Sequence, residues 1–191
     1  MEVKILYQTL DDKSNSDFIK NNAPFPCCWE NTWLGKGYYF WDTFIENAHW
    51  WGKVRYKNRY VICKYFCDFD NNVCFDLVGN TSHLKDLGDC VELIAKEKIC
   101  KNKPTVSRIL AFLQETGQFK YQAIRAYGIN SISESKDKYK DCIYRLKFES
   151  SKFQYLDYKP PIQICILKKD GMNLRDLKIE FPEEYCTDYV V

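Results

Sequence analysis

The chain lacks any apolar run long enough to cross a bilayer, although 46% of its 191 residues are hydrophobic. A membrane-spanning helix needs about 20 consecutive, mainly apolar residues. The first residues also lack the charged and apolar pattern of a signal peptide. We therefore expect a cytoplasmic protein with no membrane partner.

Net charge is nearly absent as well, because 28 lysines and arginines oppose 26 aspartates and glutamates. This balance disfavours a protein that coats nucleic acid without selectivity, since such binding depends on a strongly basic surface. A local basic patch is still compatible with it. Aromatic residues make up 16% of the chain, which excludes a disordered protein.

Histidine is scarce, with two residues, and the ten cysteines include no C-x-x-C pair. A zinc site at Cys63, Cys67 and Cys74 is therefore weakly supported, because structural zinc sites normally use paired spacings of cysteine and histidine. Without an export signal, the cysteines are typical of reduced and mostly buried thiols in a cytosolic protein. We predict no metal site.

Internal repeats and a domain-sized linker are also missing, so residues 1–191 are predicted to form a single domain. The apolar pattern predicts strands at 3–9, within 54–69, and at 73–78, 142–148, 162–167 and 174–179. It predicts helices near 18–19, after 43, and at 81–98 and 105–117, with Thr81 or Ser82 as the cap of the third. Residues 121–129 fit either element, and 133–140 indicate a charged surface loop.

Aromatic residues are concentrated in residues 33–51, which read WLGKGYYFWDTFIENAHWW. Gly35 and Gly37 permit backbone angles and close approaches that other residues do not. In an extended segment after them, Tyr39 faces away from its two neighbours, so one face can join the core while the other lines a cleft. From the residues alone, such a run is also typical of loop and core packing.

A helix start follows, where Thr43 with Glu46 three residues later predicts a capping box. On that helix Asn47 and Trp50 share a face. One aromatic ring on the strand and one on the helix would then lie near each other. A flat ring could stack between them.

This segment resembles the nicotinamide pocket of the ADP-ribosyltransferase fold, in the branch of poly(ADP-ribose) polymerases and diphtheria toxin. In that family, a Gly-x-Gly-x-Tyr-Phe strand is followed by a second stacking aromatic residue, eleven positions after the tyrosine. In this chain the tyrosine is Tyr39, and the residue eleven positions later is Trp50. Asp42 and Ala48 match further motif positions. The serine that binds the nicotinamide amide in the family is replaced by Asn47.

Two further pieces of the chain complete the resemblance. The strand end L-Y-Q-T places Gln8 at the family's histidine and Thr9 at its glycine. The resemblance implies that Gln8 binds an NAD ribose hydroxyl and that the Thr9 backbone holds the nicotinamide amide. Gln163 opens an apolar strand, and an Asn-Leu-basic run starts ten residues later, which is the spacing that follows the family's catalytic glutamate.

Gln163 thus occupies the position of a carboxylate that would stabilise the oxocarbenium-like ribose. It keeps an acceptor oxygen but not the charge, so a slower transfer of a single unit is expected. Considered without the resemblance, a lone polar residue in a strand typically faces solvent. Glu183 and Glu184 are candidate substitutes, although carboxylates near a chain end are usually solvated.

The resemblance implies an α+β fold with two packed, mainly antiparallel sheets and flanking helices around an NAD cleft. It implies a mono-ADP-ribosyltransferase, in the style of a toxin or defence effector, that modifies a protein or nucleic-acid acceptor. Tyr39, Gln163 and Gln8 are the predicted catalytic residues. The residues predicted to bind NAD are Gln8, Thr9, Tyr39, Asn47 and Trp50.

Two other interpretations stay open. Because two of the three signature residues depart from the family pattern, the chain fits a catalytically silent module that binds NAD, ADP-ribose or a partner. Exposed tyrosines and tryptophans also fit a binder of single-stranded nucleic acid. The balanced charge weighs against that second interpretation.

Overall fold

The computed structural model describes residues 2–29, 32–97, 104–128 and 144–186. Helices and strands are mixed along the chain, in agreement with the predicted class. No helix in these ranges combines the length and apolarity needed to cross a membrane. The predicted surface loop at 133–140 lies outside the described residues.

The described chain contains four helices and nine strands, with short 3-10 turns at Gly171–Asn173 and Glu183–Tyr185. The helices are α1 (Ser16–Asn22), α2 (Ile45–Tyr56), α3 (Thr81–Lys96) and α4 (Val106–Glu115). The strands are β1 (Glu2–Asp11), β2 (Tyr38–Asp42), β3 (Tyr60–Phe69), β4 (Cys74–Asp76), β5 (Ala123–Tyr127), β6 (Arg145–Lys147), β7 (Tyr155–Asp157), β8 (Ile162–Ile166) and β9 (Arg175–Phe181).

Seven strands form one sheet in the order β4-β5-β8-β2-β1-β3-β9. Its pairs are antiparallel except for β4 with β5, which is parallel. Strands β6 and β7 form a separate ribbon. The mainly antiparallel pairing was predicted, but the main strands form one sheet instead of two. The reason is that β8 pairs with β2 along one edge and with β5 along the other, which joins the two halves.

The core occupies both faces of this sheet. On one face, the strand residues Leu6, Phe40, Val61 and Ile164 form a buried cluster with Ile19 of α1. The opposite face packs in two parts, because Tyr7, Trp41 and Ile62 lie under α2 while Ile124 and Cys165 pack with Leu110 of α4. Between those two parts the sheet is left open for a cavity.

Helix α2 does not begin with the predicted capping box. Thr43 has a left-handed backbone with φ of 66°, and its hydroxyl donates to Asp42 instead of capping the helix. The helix begins at Ile45, and the residue before it, Phe44, provides no side-chain cap. Ala48 and Gly52 on its inner face are buried, which shows that packing on the sheet positions this helix.

Helices α3 and α4 have side-chain caps. The Asn80 side chain accepts hydrogen bonds from the Ser82 and His83 amides, so the cap is Asn80 and not the predicted Thr81 or Ser82. Thr105 caps α4, at the predicted start of that helix. On α3, Ile94 is buried and Leu87 and Val91 are half-buried, as their spacing predicts for one face of a helix, whereas Leu84 is exposed. His83 is buried there instead and accepts from the Asp76 amide.

A buried ionic cluster ties three strands together on the first face. Arg125 of β5 donates through Nε to Asp42 of β2 at 2.7 Å and through a terminal nitrogen to Asp76 of β4 at 3.1 Å. The two aspartates are almost fully enclosed. Asp42, a motif residue of the resemblance, therefore has a structural partner.

Cys63, Cys67 and Cys74 are buried core side chains. Burial raises the pKa of Cys63 and of Cys67 to about 12. These thiols are therefore protonated at neutral pH. Among the described residues, no three His, Cys, Asp or Glu side chains come together as a metal site.

Candidate functional site

The cavity begins where two neighbouring strands separate. Strand β1 pairs with β2 only at Leu6 and Tyr7, although its pairing with β3 continues to Asp11. Strand β2 meanwhile pairs with β8 from Tyr38 to Trp41. The edge of β1 beyond Tyr7 therefore faces an opening instead of β2.

This opening is a cavity of about 580 Å³. All five tryptophans of the chain line it: Trp29, Trp33, Trp41, Trp50 and Trp51. The polar wall residues include Gln8, Thr9, Thr32, Tyr39 and Gln163. Such a wall of flat rings with a few polar groups suits a planar ligand, and a planar cation in particular.

Gln163 lines the cavity and is half-buried. It is directly opposite Trp41 in the β2–β8 ladder, so both side chains project on the same face of the sheet. The Trp33 indole nitrogen donates to Gln163 Oε1 at 2.9 Å. That bond leaves the amide NH2 of Gln163 as a donor and a second lone pair on Oε1 as an acceptor.

Tyr39 lines the same wall, two residues before Trp41 on β2. Its hydroxyl donates to the Gly35 carbonyl at 2.8 Å and accepts from the Leu34 amide at 3.0 Å. Burial, together with the nearby Cys165, raises the pKa of Tyr39 above its usual range. The phenol is therefore a neutral group that anchors the glycine loop, and its ring is available to a ligand.

Gln8 and Thr9 form the β1 side of the cavity. The Gln8 amide makes two bonds to the Phe25 backbone, donating to its carbonyl at 2.8 Å and accepting from its N–H at 3.0 Å. The Thr9 hydroxyl donates to the Ala48 carbonyl at 3.0 Å. Both side chains thus hold the cavity walls in place, and each keeps limited capacity for a further bond.

Trp50 of α2 lines the cavity and packs edge-on against Trp41, with ring centroids 6.2 Å apart. Trp51 lies beside both, at 6.5 Å from Trp41 and 6.0 Å from Trp50. Three indoles from one strand and one helix therefore form a continuous aromatic wall. Sequence reasoning assigned only Trp50 to the site.

Asn47 is the one predicted ligand residue that the structure does not bring to the cavity wall. Its side chain is fully buried, and its Nδ2 donates to the Pro160 carbonyl at 3.1 Å. Its Oδ1 has no partner within the described chain. In this arrangement Asn47 joins α2 to the segment before β8.

No carboxylate lines the cavity among the described residues. Glu183 and Glu184, the candidate substitutes for a catalytic glutamate, are exposed in a 3-10 turn and do not reach the wall. The arrangement can stack a flat ring and offer amide, hydroxyl and indole hydrogen bonds. It can stabilise positive charge only through ring faces and amide oxygens.

Trp29, Trp33, Trp41 and Trp51 belong to the cavity but were not assigned to a site from sequence. One signal was present, because every tryptophan of the chain falls between residues 29 and 51. That clustering does not reveal a common wall, since residues on one strand alternate between two faces.

The chain matches no protein-family model and no solved structure. It is similar to an uncharacterized protein from Methanocaldococcus jannaschii, at 28% identity over 188 aligned positions that cover 84% of this chain and 80% of that protein. This relative has no described activity to compare, so the function is argued from the cavity itself.

Proposed function

We propose that the protein is a mono-ADP-ribosyltransferase that uses NAD as its co-substrate. The observation that carries the proposal is the meeting of Gln8, Thr9, Tyr39, Trp50 and Gln163 on one cavity. These residues come from three distant stretches and were selected by motif spacing alone. Residues chosen at random from three such stretches would not be expected to line the same cavity.

The proposed ligand fits the chemistry of the wall. The nicotinamide ring of NAD is planar and positively charged, and ring faces attract such a cation. Tyr39 and Trp50 would provide the rings, while the Thr9 backbone would bind the carboxamide and the Gln8 amide a ribose hydroxyl. The Asn47 side chain is enclosed, so we assign it to the support of α2 and no longer to the ligand.

In the reaction, the bond between the ribose anomeric carbon and the nicotinamide nitrogen breaks, and its electron pair leaves with nicotinamide. The acceptor's nucleophilic atom then bonds to that carbon and loses a proton. Gln163 would hold a ribose hydroxyl through its amide and orient the developing cation. Without a carboxylate on the wall, this transfer is slow and stops after one unit.

Binding is tested by titrating NAD and, separately, nicotinamide while following tryptophan fluorescence. Because all five tryptophans line the cavity, a bound ring is expected to quench a large part of the emission. Tyr39→Ala is expected to weaken binding, while Gln118→Ala, an exposed residue away from the cavity, leaves it unchanged. Unchanged fluorescence at millimolar NAD would rule the site out.

Catalysis is tested by nicotinamide release and by labelled ADP-ribose on macromolecules from a cell extract. Gln163→Ala is expected to abolish both. Gln163→Glu keeps the shape and the Trp33 bond but adds a charge, so we expect release to rise about tenfold, which equals about 1.4 kcal/mol. Slower nicotinamide release by the Gln163→Glu variant than by the wild type would contradict the role proposed for Gln163.

One observation favours a second candidate, a catalytically silent module that binds NAD or ADP-ribose. The side-chain polar groups of Gln8 and Tyr39 are bonded to the protein backbone, and Gln163 Oε1 accepts from Trp33. Preorganised walls of this kind suit binding without chemistry. NAD-dependent quenching with no nicotinamide release in the wild type and in Gln163→Glu would establish it.

A further inference from the structure

A basic groove lies directly beside the aromatic cavity. It has a volume of about 680 Å³ and shares the Tyr56 side chain with the cavity. Besides Tyr56, four cationic and two acidic residues line it: Lys13, Arg55, Lys57, Arg59, Asp11 and Asp12. The basic groove is therefore adjacent to the proposed NAD site.

Positive charge is concentrated here in a chain with almost none overall. Lys53, Arg55, Lys57 and Arg59 alternate over seven residues without a carboxylate between them, whereas the whole chain carries +2. The first two lie in the last turn of α2, where cations complement the helix dipole. Lys57 and Arg59 lie beyond the helix, so the dipole does not account for them.

The four cations of the basic groove outnumber its two carboxylates, Asp11 and Asp12. Among the described residues, no carboxylate lies within ion-pair distance of Lys13, Arg55, Lys57 or Arg59. Asp12 is bound elsewhere, because its Oδ1 accepts from the Ser14 amide at 2.9 Å and the Tyr185 hydroxyl at 3.1 Å. These charges are available to an anionic partner.

Exposed indoles connect the basic groove to the cavity. The Arg55 guanidinium lies 4.3 Å from the centroid of the Trp29 ring, and Trp29 lines the cavity while 44% exposed. Trp33 on the same wall is 38% exposed. Cations without carboxylate partners beside exposed aromatic faces are the combination that binds single strands, with phosphates on the cations and bases stacked on the rings.

We propose that the basic groove binds the phosphodiester backbone of a single-stranded nucleic acid, which is the acceptor of the transfer. The acceptor role rests on the proposed function, but the binding does not. A chain of phosphates fits better than the single diphosphate of NAD, because cations from the segment after β1, the end of α2 and the turn before β3 line an open groove.

The test is fluorescence anisotropy with labelled 15-nucleotide single-stranded DNA and RNA of mixed sequence, from 50 to 300 mM NaCl and without NAD. Each phosphate contact on a single strand contributes about −0.7 to the slope of log K against log salt, so three or four contacts predict about −2 to −3. This slope is measured on the wild-type protein. Binding that does not change with salt, or no binding at 50 mM NaCl, would overturn the proposal.

Charge reversal locates the site. Lys13→Glu with Arg55→Glu is expected to weaken oligonucleotide affinity about tenfold or more and to reduce the salt slope by about 1.4. The matched control is Lys96→Glu with Arg108→Glu, an exposed lysine and arginine on α3 and α4, which should leave affinity unchanged. Equal loss in both pairs would indicate unselective attraction and overturn the proposal.

The same variants separate this inference from the NAD proposal. If Lys13→Glu with Arg55→Glu weakens NAD quenching and leaves oligonucleotide binding intact, the basic groove holds the diphosphate of NAD and the inference is wrong. If the protein binds no NAD but shows salt-dependent oligonucleotide binding, nucleic-acid binding by the basic groove is supported and the proposed transferase function is wrong.

Discussion

The Tyr39 hydroxyl is held from both sides by the loop that carries Gly35. It donates to the Gly35 carbonyl and accepts from the Leu34 amide. Its ring is left at the cavity wall. A single residue therefore links the shape of the glycine loop to the shape of the site.

Removing that hydroxyl should weaken the fold and leave the ring in place. We expect Tyr39→Phe to lower the free energy of unfolding by about 1–2 kcal/mol, because both loop groups lose a partner. Tyr38→Phe, on the same strand, is the matched control, since the Tyr38 hydroxyl anchors no loop group in the described part of the chain. Urea denaturation measures both, and equal losses in the two variants would contradict the assignment.

The structure places the predicted site residues in different environments. Tyr39, Trp50 and Gln163 were selected from spacing and lie on the cavity. Asn47 was selected in the same way but is buried, because the Pro160 carbonyl lies within reach of its amide. Sequence spacing places a residue on a helix face, whereas its partner depends on a segment 113 residues away.

At the scale of elements, helix α2 sits closely on β3. Tyr60 of β3 lies under Gly52 and is also bonded to His49, whose Nδ1 is 2.9 Å from the Tyr60 hydroxyl. A Cβ at position 52 would overlap the Tyr60 ring. This close approach lets α2 lie near the sheet, and the position of α2 in turn determines where Trp50 lies.

Two glycines in helices should therefore respond in opposite ways to alanine. We expect Gly52→Ala to destabilise the protein by about 1–3 kcal/mol, because the added methyl group collides with Tyr60. At Gly88 of α3 an added methyl group would meet no atom within 4 Å, so Gly88→Ala should stabilise by about 0.5–1 kcal/mol. Thermal and urea denaturation measure both, and a stabilised Gly52→Ala variant would contradict the packing.

The contact between His49 and Tyr60 also predicts a pH dependence. Burial, and then the nearby Lys53, lower the pKa of His49, while Glu46 opposes them. The unfolded chain takes up the proton first as pH falls below about 6.5, so stability present above that pH is lost as pH falls toward the folded-state pKa.

His49→Gln should remove this loss between pH 7.5 and 5.5. The free energy of unfolding, measured in urea across that range, should fall more steeply in the wild type than in the variant. Burial alone would raise the pKa of Glu46, but its hydrogen bonds to Lys159 and the backbone, together with the nearby positive charges, lower the pKa below its usual value. The contribution of Glu46 to stability is therefore lost only below about pH 4.5. Parallel curves would show that His49 is not the group responsible.

At the scale of the whole molecule, Arg125 joins strands that are far apart in the chain. Its partners Asp42 and Asp76 end β2 and β4, and both are enclosed. Replacing the buried cation leaves two carboxylates without compensation. Through Asp42 the cluster contacts β2, the strand that carries Tyr39 and Trp41.

Arg125→Met should lower the free energy of unfolding by about 3–5 kcal/mol, as expected when one partner of a buried ion pair is removed. Arg175→Met is the control, because Arg175 pairs with Asp68 at the surface, where ion pairs contribute about 0–1 kcal/mol. Chemical denaturation of both variants measures the difference. A loss below about 1 kcal/mol in Arg125→Met would show that the cluster does not hold the sheet.

The sequence by itself determined most elements and the aromatic surface of this protein. Alternation and turn residues predicted the main strands, Thr105 predicted a helix start, and residues 33–51 indicated an aromatic site. These features depend on neighbours along the chain, which local backbone preferences and periodicity control.

Only the tertiary structure decided how those surfaces meet. It joined seven strands through β8, separated β1 from β2 to open the cavity, and brought Trp33 to Gln163 across 130 residues. It also buried the Asn47 side chain away from the cavity wall and placed the basic groove beside the cavity. Such contacts depend on which strand edges pair and which faces are buried, and no local pattern encodes that choice.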